Sequence, residues 1–370
     1  MFDKKGVFWF LGLTFSLTWL IDLAIYLCGG YGTLAATNAV GLHMLMPAFS
    51  AILLGLFFFP KSPIYHRRPA GRERWFYYFF LLFTVIDIPI VLSGLLAPTN
   101  TTLLLAAASI SPLMAILALL SLAVLRFTEG QQAMARIWLA WGNWRYWLFF
   151  SLAFVAFYAL QTALNAIFGL GPTHLTPFPT PEGFNPITYT ILSTVGLLLF
   201  GSVISFGAAF GEEYGWRGYL QSELFKLGRV RGVLLLGVIW GVWHWPIVLM
   251  GHTYPGHPLI GMLLYLLNCI CLSIVLGYAV LRSGSVLLAA FLHSLNNVSV
   301  MQITNVGLMP FDNAFSFIGI YGVVPLAIIA LLVLRDPVWR GKGSNLAQPV
   351  PASAAMAVSG DPGAVEKAAD

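Results

Sequence analysis

The chain has 370 residues, of which 59% are apolar and only 9% charged, and its mean hydropathy is +0.83. A typical soluble domain carries roughly 25% charged residues. So few charges cannot cover a water-exposed globule, which excludes a soluble enzyme, a disordered chain and a nucleic-acid binder. The formal net charge of +5 then reads as membrane topology rather than as a sign of an acidic partner.

Apolar runs of about 20 residues, the length that crosses a bilayer as a helix, fall at ten places. The first, 7–28, follows Lys4 and Lys5 and is too long for the apolar core of a signal peptide, so it is expected to be a retained span. The others are 43–59, 75–96, 102–125, 147–168, 187–210, 233–250, 259–281, 286–303 and 315–334. With the N-terminus in the cytoplasm, all nineteen Lys and Arg residues fall at cytoplasmic ends. The outer loops near 29–42, 97–101, 169–186, 251–258 and 304–314 hold none. That separation predicts an all-α polytopic transmembrane helix bundle of about ten spans with both termini cytoplasmic. Residues 341–370, rich in Ala, Ser, Pro and Gly, are expected to form a disordered cytoplasmic tail.

Cys28, Cys269 and Cys271 lie in or beside apolar segments. An odd, sparse count does not suggest a disulfide framework, and the C-x-C pair splays on a helix, so all three are expected to be small apolar fillers.

Ionisable groups inside spans are rare and are functional suspects. Here they are Asp22, Asp87, Glu212, Glu213, His244 and His293, joined by the carboxamides Asn268, Asn296 and Asn297. Asp22 and Asp87 have no evident basic partner, and hydrogen bonding between helices is their expected role. The segment Phe210-Gly211-Glu212-Glu213-Tyr214-Gly215-Trp216-Arg217 sets two adjacent carboxylates at the end of the sixth span. Glu213 and Arg217 have the i, i+4 spacing and order that favour an ion pair, which leaves Glu212 on another face. In the seventh span Trp240 and His244 share a face, and Pro246 is expected to kink the helix just beyond. In the ninth, His293 and Asn297 share a face. At about 1.5 Å per residue the two histidines lie roughly 16 Å and 13 Å into the membrane, so they can meet. Glu212 fits only if the sixth helix runs past residue 217 or a water-filled cavity reaches it.

A carboxylate beside two imidazoles and an amide can hydrolyse an amide bond. The carboxylate takes a proton from water, and imidazole and amide donors stabilise the oxyanion. Alternatively His244, His293 and Glu212 hold a zinc ion that activates the water. The residue types leave both routes open. The H-E-x-x-H motif, a G-x-S serine setting and a G-x-G-D aspartate setting are all absent.

E-x-x-x-R at 213–217 preceded by Glu212, aromatic-x-x-x-H at 240–244 and H-x-x-x-N at 293–297, in that order, resemble the CAAX protease and bacteriocin-processing (CPBP) family of intramembrane metalloproteases. These are related to the Ras-converting CAAX endopeptidases. The resemblance covers about residues 187–303, which would be the catalytic core. Residues 1–186 would then supply about five N-terminal spans, and 304–340 the final helix. It implies that Glu212 activates water, that Glu213 and Arg217 support it, and that His244, His293 and Asn297 complete the site. Trp240 departs from the family's more frequent Phe. The substrate implied is a membrane-tethered protein or peptide, cut near the cytoplasmic face of the cell membrane. The competing readings are a non-catalytic membrane scaffold or immunity protein and, third, a transporter.

Overall fold

A computed structural model describes residues 2–66, 71–167, 180–254, 256–305 and 320–341. Among these residues all regular structure is helical. The helices in chain order are α1 (Lys4–Leu27), α2 (Leu34–Phe57), α3 (Glu73–Leu96), α4 (Thr101–Thr128), the short α5 (Gly130–Arg136) and α6 (Trp144–Ile167). A long helical run follows: α7 (Pro186–Gly196), a π-helical turn (Leu197–Gly201), α8 (Ser202–Ile204), α9 (Phe206–Glu213), a second π-helix (Tyr214–Leu220) and α10 (Gln221–Leu224). The chain continues through α11 (Arg229–Trp243), α12 (Trp245–Leu249), α13 (Pro258–Ser283), α14 (Val286–Asn305) and α15 (Ile320–Val333).

Polar residues set several helix starts. Asp3, Thr33 and Asn100 each accept a backbone N–H three residues on, at 2.9, 3.1 and 3.2 Å. Asn185 accepts from both Ile187 and Thr188, ahead of Pro186 at the first helical position. Each cap satisfies a donor that the helix start leaves free.

Among the described residues seven helices are long and apolar enough to cross a membrane, and Val286–Val300 and Gly322–Val333 are shorter apolar helices. The protein is an all-α polytopic helix bundle, and its polarity is that of a chain solvated by lipid. Phe8, Leu82, Leu120, Phe149, Phe200 and Leu259 face outward, whereas Asp22, His43, Glu212, Glu213 and Arg217 are buried. In hydrocarbon, ionisable groups are retained only where other helices enclose them.

Helices lie over the ten apolar runs as far as the described residues cover them, but the boundaries differ in ways that matter. The second helix begins at Leu34, not at 43, because the Ala-rich stretch before His43 continues the helix. His43 therefore sits in mid-helix. The sixth run does not end at 210 but stays helical to Leu224, so Glu212 and Glu213 lie inside a long helical run. The seventh breaks at His244, two residues before Pro246. The tail from 342, most of the outer loop before 180 and the first part of the tenth run lie outside the described residues. Cys269 and Cys271 are buried among apolar neighbours on α13, and Cys28 is half-buried.

At the centre, α2 packs against α1, α3, α9 and the second π-helix, and α9 also packs against α14. α11 lies along α13. Residues from nearly all of these helices, early and late in the chain, share one apolar core.

Candidate active site

The Glu-bearing run is placed by two glycines. A Cβ on Gly211 would lie 2.5 Å from the carbonyl oxygen of Met44, and one on Gly215 would lie 2.5 Å from the carbonyl carbon of Pro47. Only glycine lets the backbone of α2 come this close. Glu212 and Glu213 stand between these contact points and project elsewhere. The π-helix begins directly after Glu213 and carries Arg217. Such widened turns recur at functional sites.

The two adjacent glutamates have different partners. Oε1 of Glu213 accepts from Nη1 of Arg217 at 2.9 Å and from Nδ1 of His293 at 2.8 Å. The i, i+4 ion pair is therefore present as the spacing predicts, with both side chains 0% exposed. Among the described residues Glu212 makes no ion pair within 4 Å, although Arg217 and His293 are near enough to act on it electrostatically. Its Oε2 accepts the indole N–H of Trp240 at 2.6 Å. Trp240 is the hub of the cluster. Its ring carries the Arg217 guanidinium 4.2 Å from its centroid and meets the rings of His244 and His293 edge-on at 5.8 and 5.4 Å. Each histidine meets the Trp240 indole rather than the other imidazole.

His244 stands at the break between α11 and α12, its Nδ1 2.9 Å from the Trp240 carbonyl oxygen. That carbonyl is an acceptor only, so Nδ1 carries the proton, and Nε2 is the ring atom left to act. His293 is tied at Nδ1 in the same way. Tyr265 of α13 closes the far side of His244, with ring centroids 4.8 Å apart.

Five of the six residues singled out, Glu212, Glu213, Arg217, His244 and His293, therefore form one buried cluster with Trp240. Asn297 stands one turn beyond His293 on the same face of α14. It is exposed, and its Oδ1 accepts from Asn296 at 3.0 Å. Asn296 in turn accepts from the Tyr158 hydroxyl, beside a cavity of about 280 Å³ among α6, α13, α14 and α15.

One residue, His43, is not among those that the spacing singles out. Nδ1 of His43 lies 2.9 Å from Oδ1 of Asp22, and both side chains are 1% exposed. The His43 ring is 6.1 Å from that of His244. Asp22 therefore has the basic partner that the sequence reading did not find. The signal was the histidine itself, overlooked because the second span was started at that residue. Asp87 is buried, with no partner for its Oδ1 among the described residues.

A zinc ion would need Nε2 of His244, Nε2 of His293 and Glu212 to converge. Among the described residues no three His, Cys, Asp or Glu side chains form such a group. The donors as arranged do not fit the ion.

A membrane helix bundle with a buried carboxylate set against indole and imidazole groups defines the class: a polytopic protein with an intramembrane acid–imidazole site. Residues 194–299 match the family model described as type II CAAX prenyl endopeptidase Rce1-like. The curated "CAAX prenyl protease 2" of Methanococcus maripaludis is 29% identical over 98 residues, 25% of this chain and 36% of that protein. The chain thus spans little more than a third of that relative's length. No solved structure matches. Residues 194–299 are thus similar to that family's model, and Glu212, Glu213, Arg217, Trp240, His244 and His293 all fall within the matched segment.

Proposed function

We propose that the protein is an intramembrane endopeptidase that hydrolyses peptide bonds of membrane-associated proteins or peptides through a glutamate-activated water. One observation carries the proposal: the unequal treatment of the two neighbouring glutamates. Glu213 accepts hydrogen bonds from both Arg217 and His293, whereas the one hydrogen bond to Glu212 among the described residues comes from a neutral N–H. A carboxylate held in place but not consumed by a cation is what a general base requires.

Glu212 takes the proton as water attacks the carbonyl carbon. The Trp240 N–H fixes the carboxylate and leaves its other oxygen to face the water. His293, bound to the carboxylate of Glu213, is the donor for the developing oxyanion when its Nε2 is protonated. His244 borders the reacting group from the opposite side of Trp240. Asn297, whose NH2 group remains free to donate, lies on the His293 face where the substrate backbone would pass. Glu212 then delivers its proton to the leaving amine. The charge pattern of the loops supports a site reached from the cytoplasmic side of the cell membrane.

The test is cleavage of a membrane-tethered peptide by the full chain in proteoliposomes. Glu212→Gln keeps the shape and removes the base, and is expected to lower turnover by about 10³-fold while the protein still inserts and folds. Wild-type rates in this variant would overturn Glu212 as the base, and no cleavage by the wild-type protein would favour a scaffold.

A further inference from the structure

α1 grips the helix break that carries His244. Thr18 Oγ1 accepts the indole N–H of Trp243 at 3.0 Å, and the indole N–H of Trp19 donates to the carbonyl oxygen of Trp243 at 3.2 Å. One turn on, Asp22 holds His43, whose ring centroid lies 4.0 Å from that of Trp243. Trp243 meets the His244 ring edge-on at 4.6 Å. Three residues within a single turn of α1 thus act on the residue that precedes His244, two directly and one through His43.

His244 needs such a hold. It is the residue between α11 and α12, and its N–H reaches back to Gly241 at 3.2 Å, three residues away instead of four. At a break, the position of a side chain is set by what packs against it rather than by a continuous helix on both sides.

Stability does not account for the Asp22–His43 pair. Oδ2 of Asp22 and Nε2 of His43 are buried without a partner among the described residues. A buried ionisable pair with orphaned atoms is commonly matched in stability by apolar side chains of similar volume. Two membrane helices can pack without it.

We propose that Asp22 and His43, with Thr18, are positioning residues that act through Trp243 to hold His244 in the site. The inference rests on the proposed role of His244 in hydrolysis. It extends the working site to α1 and α2, which lie outside residues 194–299.

The test uses the full chain in lipid nanodiscs. In the double variant Asp22→Leu/His43→Phe, the melting temperature is expected to stay level or rise and KM to stay within about twofold. A displacement of about 1 Å at a catalytic group lowers turnover by about 100-fold, and kcat is expected to fall by that order. Thr18→Val should give a smaller loss in kcat. Because the pair acts through His244, the double variant should add no further loss to His244→Ala. Independently of activity, the ¹⁵N signals of the His244 ring, assigned by their disappearance in His244→Ala, should shift in the double variant. Wild-type kcat, losses that multiply with His244→Ala, or an unmoved His244 signal would each overturn the proposal. If the double variant does not fold, Thr18→Val and Asp22→Asn carry the same measurements. If wild type cleaves no better than Glu212→Gln, the hydrolytic reading fails, and the His244 signal alone decides whether the clamp exists.

Discussion

Two carboxylate–arginine networks differ sharply in how well they are satisfied. At the end of the bundle Asp336 accepts from Val338 N–H at 2.8 Å, from the Tyr278 hydroxyl at 2.8 Å and from Arg282. Arg282, 37% exposed, also donates to Tyr278. This network ties the end of α13 to the turn after α15, and both carboxylate oxygens are engaged. In the core, Glu213 and Arg217 are wholly enclosed, yet Glu213 Oε2 and two nitrogens of Arg217 have no partner among the described residues. A network built for stability closes its hydrogen bonds, as the one at Asp336 does. An incomplete one enclosed in the core is a burden on folding, and a working site is the reason to keep it.

That contrast can be broken most forcefully at Arg217. Arg217→Met removes one of the two groups paired with Glu213 and leaves its buried carboxylate with His293 alone. The expected loss is about 3–5 kcal/mol, visible as a large fall in melting temperature in detergent. A loss below about 1 kcal/mol would show that Glu213 is already neutralised by other means. Next is the glycine contact. Gly211→Ala places a methyl group against the α2 backbone and is expected to destabilise by about 1–3 kcal/mol. Cleavage should fall with it, since α2 and the Glu-bearing run must part.

Trp240→Phe sharpens the comparison within the core. It keeps the ring beneath Arg217 and removes the donor to Glu212. A hydrogen bond to a charged group contributes about 1.5–3 kcal/mol, so the melting temperature is expected to fall and kcat to drop roughly ten- to a hundredfold. An unchanged kcat would mean that the indole only fills space. Asp336→Asn tests the other network, with an expected loss of about 1 kcal/mol and no effect on cleavage. Burial works against ionisation of Asp336, yet its hydrogen bonds from Val338, Tyr278 and Arg282 bring its pKa below the ordinary carboxylate value. A lowered folded-state pKa means that this stability is complete above the unfolded value of about 3.9 and is lost as pH falls through the folded one. The melting-temperature gap between wild type and Asp336→Asn should therefore be full at neutral pH and close in acid. The smallest expected effect is that of metal removal: a chelator should leave cleavage by the purified protein unchanged.

Much of the site was legible in residue spacing. Glu213 and Arg217 pair because four residues bring side chains together on any helix. Trp240 and His244 share a face for the same reason, and the depth count brought His244 and His293 to one level. The Asp22–His43 pair was not legible, because its partners lie on different helices and nothing local links residue 22 to residue 43. The indole bond to Glu212 was also missed: an aromatic at 240 reads as pocket wall until its N–H is seen to face a carboxylate. Asn297 shares the His293 face as its spacing requires, but its hydrogen bond goes to Asn296, a choice between neighbouring rotamers that periodicity does not make.

The amino-acid sequence by itself determined that this chain is a membrane helix bundle, because too few charges and repeated apolar runs permit no other solvent. It also determined which ionisable groups must be enclosed, since lipid tolerates none. Only the tertiary structure decided which of those groups meet. That choice depends on backbones brought into contact at Gly211 and Gly215, on a helix that continues through a π-turn where its apolar run has ended, and on a helix break at His244 gripped from α1. The first and the last are contacts between segments distant in the chain, and local periodicity carries no record of them.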